Sequence, residues 1–155
     1  MKTLNKIMVA VDFSDHSLTL VEYAANLAKD VGAELLLVNV LNQRDINMWR
    51  KISQEYPAFS VEKQIEEHTR DRQDRLRSLM EEGGGIKLDV KAQYAVRRGV
   101  PHEELIKEIK EQKPDLLLMA TKGRSNLVDT IIGSCAQKMF RRSPIPLLSI
   151  RGKDQ

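Results

Sequence analysis

Five strand-like runs along this chain are separated from one another by segments with helical spacing, and that alternation narrows the fold more than any other feature. The first run, Leu4 to Val11 (LNKIMVAV), is apolar at nearly every position after Lys6. A strand that is apolar on both faces needs cover on both faces, which is the environment of a parallel sheet. Asp12-Phe13-Ser14-Asp15 ends it, with Ser14 placed to cap a helix and Asp15 suited to the first turn. Leu20, Ala24, Leu27, Ala28 and Val31 then recur at helical spacing up to Gly32. Ala33 to Leu41 (AELLLVNVL) reads as a second buried strand.

The segment from Asn42 to Ser60 is less regular. It reads as an irregular connection holding one short helix over Ile46 to Glu55, with Pro57 breaking anything longer. Trp49, Tyr56 and Phe59, together with Met48, suit local packing or, alternatively, a lid or protein-contact surface. Val61 to Glu82 predicts a long helix with Val61, Ile65, Leu76, Leu79 and Met80 on one side. Glu66 with Arg70, and Asp71 with Arg75, stand four apart and predict ion pairs. The apolar stripe thins between Thr69 and Arg75, so this part is expected at the surface or against a partner. After Gly83-Gly84-Gly85, the stretch Ile86 to Arg97 alternates apolar and polar residues, as a half-exposed edge strand does. Pro101 suits a first helical position, Glu103 and Glu104 suit the first turn, and Leu105, Ile106 and Ile109 face inward until Pro114 stops the helix. Asp115 to Ala120 is the fourth strand. Ser134 to Arg142 is the last helix, and Leu147 to Arg151 the final strand.

Alternating strands and helices predict an α/β fold, a three-layer sandwich in which an open parallel sheet with right-handed crossovers carries helices on both faces. The 155 residues suit one domain, taken as 1–155. No apolar run approaches the roughly 20 residues that span a bilayer, and the polar start Met1 to Lys6 does not read as a secretory signal. A cytoplasmic location without membrane contact is therefore the expectation. Cys135 is the only cysteine, which excludes an internal disulfide and a cysteine metal cluster within one chain. A formal charge of +3 with interspersed acids, and 5% aromatics, argue against nucleic acid as a partner.

In an open parallel sheet, ligands sit beyond the carboxyl ends of the strands where strand order reverses. Two stretches belong there. One is the end of the first strand, with Asp12. The other is Asp115 to Ser134 (DLLLMATKGRSNLVDTIIGS), in which a buried strand breaks into a polar, basic loop and then meets a helix start. Asp12 can accept from ribose hydroxyls or hold a divalent cation; equally, it can support the start of the first helix. Gly123 permits a close ligand approach to the main chain. Ser134 with Gln137 fits a capping box, which explains the serine structurally, yet the same helix end attracts phosphate. Lys122 and Arg124 add positive charge. Neither a Walker loop nor a GxGxxG fingerprint is present.

The remaining reactive residues have plainer readings. Cys135 reads as a small packed side chain. His16, His68 and His102 have no metal spacing and read as surface or helix-end residues, and Arg141-Arg142 as partners of a helix C-terminus. No paired carboxylates, Ser-His-Asp order or Cys-His arrangement marks a catalytic site, and no catalytic residue is assigned.

The whole chain resembles the universal stress protein family. The resemblance is carried by IMVAVDFSDHS (Ile7 to Ser17), AELLLVNVL (Ala33 to Leu41), RRGVPHEELIKEIKEQKPDLLLMATKGRS (Arg97 to Ser125) and IIGSCAQKMFRRSPIPLLSIR (Ile131 to Arg151). It implies a five-stranded sheet in order 3-2-1-4-5, of the adenine nucleotide alpha-hydrolase-like type, and a homodimer through the last strand, Leu147 to Ile150. The family's ATP-binding branch is similar at G-x-x-G, nine residues, then G-[ST]; here Ala120, Gly123, Gly133 and Ser134 stand at those places, with alanine for the first glycine. The resemblance implies that Asp12 meets the ribose, that Val40 meets adenine through its backbone, and that Ala10 and Met119 line the base pocket. Gly123, Gly133 and Ser134, with Arg124 beside them, would hold the phosphates of ATP with Mg²⁺ or Mn²⁺ bridging; no metal-ligating residue is assigned. The function implied is a nucleotide-dependent stress-response switch acting on itself or on an unidentified regulatory protein. The alternatives are a family member that works by dimerising without nucleotide, and a slow ATP hydrolase or phosphotransferase, since hydrolysis of bound ATP needs only a metal and water.

Overall fold

A computed structural model describes residues 3–121 and 134–151. The elements run β1 (Lys6–Ala10), α1 (Ser17–Val31), β2 (Glu34–Asn42), α2 (Gln43–Glu55), α3 (Val61–Glu82), β3 (Ala92–Gly99), α4 (Pro101–Gln112), β4 (Leu116–Ala120), α5 (Ser134–Arg142) and β5 (Leu147–Ile150). All strand pairs are parallel, and the order across the sheet is β3-β2-β1-β4-β5, as the resemblance implied.

The apolar runs bury both faces because neighbouring side chains point in opposite directions. Ile7 and Val9 of β1 join Leu35 and Leu37 of β2 in a core covered by α1, through Leu20, Val21 and Ala24, and by α3, through Leu76 and Met80. Met8, Leu36 and Val38 face the other way, onto Leu105 and Ile109 of α4 and Ala136 and Met139 of α5. Most of these side chains are fully buried. At the other end of the strands, Asp115 accepts from the amides of Asn5 and Lys6 at 2.9 and 3.1 Å, tying the start of β4 to the start of β1. No helix among the described residues is long and apolar enough to cross a membrane.

Four local expectations are corrected. The helix in the segment after β2 ends at Glu55 as expected but starts at Gln43 rather than Ile46, because Asn42 Oδ1 accepts from the Arg44 amide at 3.0 Å and caps it. The edge strand starts at Ala92 rather than Ile86. Residues 83–89 are consumed by turns in which the Leu88 amide donates to Gly84 and the Asp89 amide to Ile86, leaving Ile86 61% exposed. The first helix starts at Ser17, beyond Ser14 and Asp15, and His16 at its N-cap makes no side-chain cap bond. Along α3 the ion pairs among the described residues are Lys63–Glu67 and Arg77–Asp74. Arg75 does not pair with Asp71 but lies over the Phe13 ring, 4.1 Å from its centroid.

Candidate functional site

The carboxyl ends of β1, β2 and β4 open into a cavity of about 700 Å³. Its position follows from the topology: α1 and α3 leave the sheet on one side of β1, α4 and α5 on the other, and the crevice lies between. Ala10, Asp12, Val40, Met119, Ala120 and Ser134 all line it, so six of the nine residues singled out from sequence are brought together. Gly123, Arg124 and Gly133 lie outside the described residues.

Register explains the first wall. Ala10 pairs with Met119 on β4 and with Val38 on β2, and Val40 stands two residues further along β2. All three therefore face the α4–α5 side, where they pack with Leu105 and Ala136. The result is an apolar slot beside the last turn of the strands. Ala120 is paired with Ile150 as an ordinary strand residue. Positive φ among the described non-glycine residues occurs only at Phe13, Asp89 and Lys113, so position 120 makes no demand for a glycine backbone.

Of the two roles left open for Asp12, support of the first helix is seen in one of its oxygens. Its Oδ1 accepts from the Ser14 amide at 2.9 Å and from Ser17 Oγ at 3.3 Å, which holds the entry to α1. Oδ2 has no hydrogen bond among the described residues, and the carboxyl lines the cavity. The turn that aims it is strained: Phe13 has φ 59. A bulky residue in that region costs roughly 1–3 kcal/mol, offset here by packing of the ring against the core and by the Arg75 guanidinium stacked on it.

The opposite wall carries residues that sequence reasoning missed. Asn39, 3% exposed, donates from Nδ2 to the Val11 carbonyl at 2.7 Å and accepts at Oδ1 from Arg72 Nη1 at 2.7 Å. Arg72 is only 8% exposed and sits in the part of α3 where the apolar stripe thins. The stretch is at the surface as expected, through Arg70, Asp71, Asp74 and Arg75, except at Arg72, where the thinning marks a buried polar contact. A buried-polar signal was present in the sequence as Asn39 inside an otherwise apolar strand. His102, expected at the surface or a helix end, is the second residue of α4, 7% exposed, and lines the cavity; Arg142, expected to serve the end of its helix, reaches the His102 Nε2 with Nη1 at 3.3 Å. The start of α2 closes the cavity from above through Asn42, Gln43, Arg44 and Asp45. Behind it Trp49 packs with Leu41, Ile46 and Phe59 and stacks against His68 with ring centroids 4.7 Å apart, so Trp49 and Phe59 form a local core, whereas Met48 and Tyr56 are exposed.

Ser134 is the first residue of α5 and is exposed, one step inside the helix compared with the expected capping position. Cys135 also lines the cavity; burial, reinforced by the Asp12 carboxylate, pushes its thiol up to about 11, so it is a protonated, inert side chain at neutral pH. Among the described lining residues, the cations Arg44, Arg72 and Lys138 stand against the carboxylates Asp12 and Asp45. Their surplus of positive charge, together with the apolar slot, suits a ligand with a flat apolar part and an anionic part. No group of three or more His, Cys, Asp or Glu side chains among the described residues is arranged to hold a metal by itself.

Comparison with known proteins agrees with the fold. Among curated proteins, the chain is 26% identical to Universal stress protein MJ0531 of Methanocaldococcus jannaschii over 146 residues, covering 94% of this chain and 81% of that one. It is 23% identical to Universal stress protein MJ0577 of the same organism over 157 residues, covering 96% of each. Among solved structures, that of MJ0577 superposes with a TM-score of 0.83 at 19% identity, covering 99% of this chain and 100% of that chain. A universal stress protein in complex with cAMP superposes at 0.64 with 20% identity, covering 97% and 98%. One from Archaeoglobus fulgidus in complex with dAMP superposes at 0.63 with 15% identity, covering 96% and 98%. The model of the Universal stress protein family matches residues 3–151, and the chain belongs to that family.

Proposed function

We propose that this chain binds ATP with a divalent cation in the cavity at the ends of β1, β2 and β4, and that occupancy switches its interaction with itself or with a regulatory partner. The observation that carries this reading is the pairing, within one cavity, of the Ala10–Val40–Met119 slot with the uncommitted oxygen of Asp12. The slot takes the flat face of a purine, and Asp12 Oδ2 accepts from a ribose hydroxyl. About 700 Å³ lies inside the usual range for small-molecule sites. Solved relatives in complex with cAMP and with dAMP support an adenine nucleotide as the ligand class.

The phosphates would extend toward Ser134 and the start of α5, where helix amides favour anions. Gly123, Arg124 and Gly133 are assigned there from the sequence and the family resemblance. A bound Mg²⁺ or Mn²⁺ would neutralise phosphate charge; with no protein metal cluster among the described residues, phosphate oxygens and water would supply most of its ligands. The reading is of a binding module; no residue of the cavity is assigned to catalysis. A homodimer through β5 belongs to the same proposal. Leu147 to Ile150 forms a sheet edge of half-buried residues, and such an edge is stabilised by a cover.

Calorimetric titration of nucleotide-stripped protein with ATP and Mg²⁺ tests the proposal. Saturable heat, lost in Asp12→Ala, is the expected result; no heat and no thermal shift at millimolar ATP overturns it.

A further inference from the structure

The contact between Arg142 on α5 and His102 on α4 favours one tautomer of the histidine. A guanidinium has donors and no acceptor, so the 3.3 Å approach of Arg142 Nη1 to His102 Nε2 is a hydrogen bond when Nε2 is unprotonated. The neutral ring that satisfies it bears its hydrogen on Nδ1. That hydrogen has no partner among the protein's described groups, since the one hydrogen bond of this side chain is through Nε2. His102 lines the cavity, so Nδ1 is the ring nitrogen left to a ligand there. His102 stands three residues before Leu105 on α4, and Leu105 packs in the same cluster as Met119, Ala10 and Val40. The donor therefore stands beside the apolar slot.

We propose that His102 is a specificity residue that donates from Nδ1 to an acceptor nitrogen on the edge of the purine, and that Arg142 is the positioning residue that holds this tautomer. The inference rests on the nucleotide reading above. It also links the base to α5, the helix that leads directly into β5 at the sheet edge. A site with one fixed donor in an apolar slot discriminates by the partner left unpaired when the acceptor is missing.

Two measurements test it. In the first, unmodified protein is titrated with ATP and with its 1-deaza, 3-deaza and 7-deaza analogues. One analogue is expected to bind about tenfold more weakly than ATP, the size of a single buried hydrogen bond, and to match ATP once His102→Leu removes the donor, while His102→Gln recovers most of the affinity for ATP. In the second, ¹⁵N NMR of the imidazole is expected to show the Nδ1–H tautomer in the unmodified protein and a mixture in Arg142→Met. If ATP binds and all three analogues bind equally well, the donor role is overturned and the nucleotide reading stands. If ATP itself does not bind, the nucleotide reading fails and takes this inference with it. An unchanged tautomer in Arg142→Met overturns the positioning role.

Discussion

Arg72 on α3 and Asn39 on β2, 33 residues apart in sequence, meet in a buried 2.7 Å hydrogen bond, and the other end of the Asn39 amide holds the carbonyl of Val11 at 2.7 Å. One side chain thus joins the cover helix to the ends of two adjacent strands at the wall of the cavity. Asn39→Leu keeps the size of the side chain and strands the Val11 carbonyl and one Arg72 donor. The expected cost is about 2–3 kcal/mol of folding stability, read from the shift of a urea unfolding curve at constant slope.

Arg97 at the end of β3 bonds Glu104, Glu108 and Glu111 of α4, two of which are nearly buried. Arg97→Met leaves those carboxylates facing one another with Lys107 as the remaining cation on Glu104, at 2.9 Å. Breaking such a cluster from one side costs about 3 kcal/mol, and guanidinium unfolding at pH 7 measures it.

The same cluster gives an acid limb to stability. Burial raises the carboxyl of Glu104, but hydrogen bonds from Lys107 and Arg97 outweigh it and hold the group below its usual range. The stabilisation is complete above the unfolded carboxyl value, about 4.3, and is lost as pH falls through the lower folded value. Stability is expected to hold between pH 7 and about 5 and to decline below about 4.5, with a shallower decline in Arg97→Met. Equal slopes for the two proteins would count against this assignment.

Cys135 offers a chemical probe of the cavity. With its thiol raised to about 11 by burial and by Asp12, the thiolate fraction at pH 8 is roughly a hundredfold below that of a free cysteine. Alkylation by iodoacetamide is expected to be slower in the native protein by about that factor and to recover in urea. Asp12→Asn removes the carboxylate charge and accelerates native alkylation; a native rate equal to the unfolded one refutes the burial argument.

Asp12→Asn also separates the two roles of that residue. The amide oxygen still accepts from the Ser14 amide and Ser17 Oγ, so folding is expected to lose less than about 1 kcal/mol. The second oxygen becomes a donor that cannot accept from a ribose hydroxyl, and ATP affinity is expected to fall about tenfold. Calorimetry and thermal unfolding on the same preparation distinguish the two effects.

Much of this was legible without coordinates, because hydrophobic period is a local property. α3 and α5 have the bounds that spacing and breakers set, and the buried strands differ by a few residues at their ends. The edge strand was misplaced because Ile86, Leu88 and Val90 alternate as a strand does, while hydrogen bonds from Leu88 to Gly84 and from Val90 to Gly85 draw those residues into turns. The strand-end rule placed the cavity and Asp12, since a parallel sheet brings those ends to one edge, and the family resemblance added Ala10, Val40, Met119 and Ala120 to its lining.

The sequence by itself determined the layers, the strand-end location of the site and, by resemblance, the family. Tertiary structure decided which polar residues are buried. Arg72 and His102 look like surface residues in their own helices; each is buried because a partner 33 or 40 residues away, Asn39 or Arg142, meets it across the packed layers. A desolvated polar group needs a partner, and the sequence of one element does not contain a partner that only the fold brings within hydrogen-bond reach.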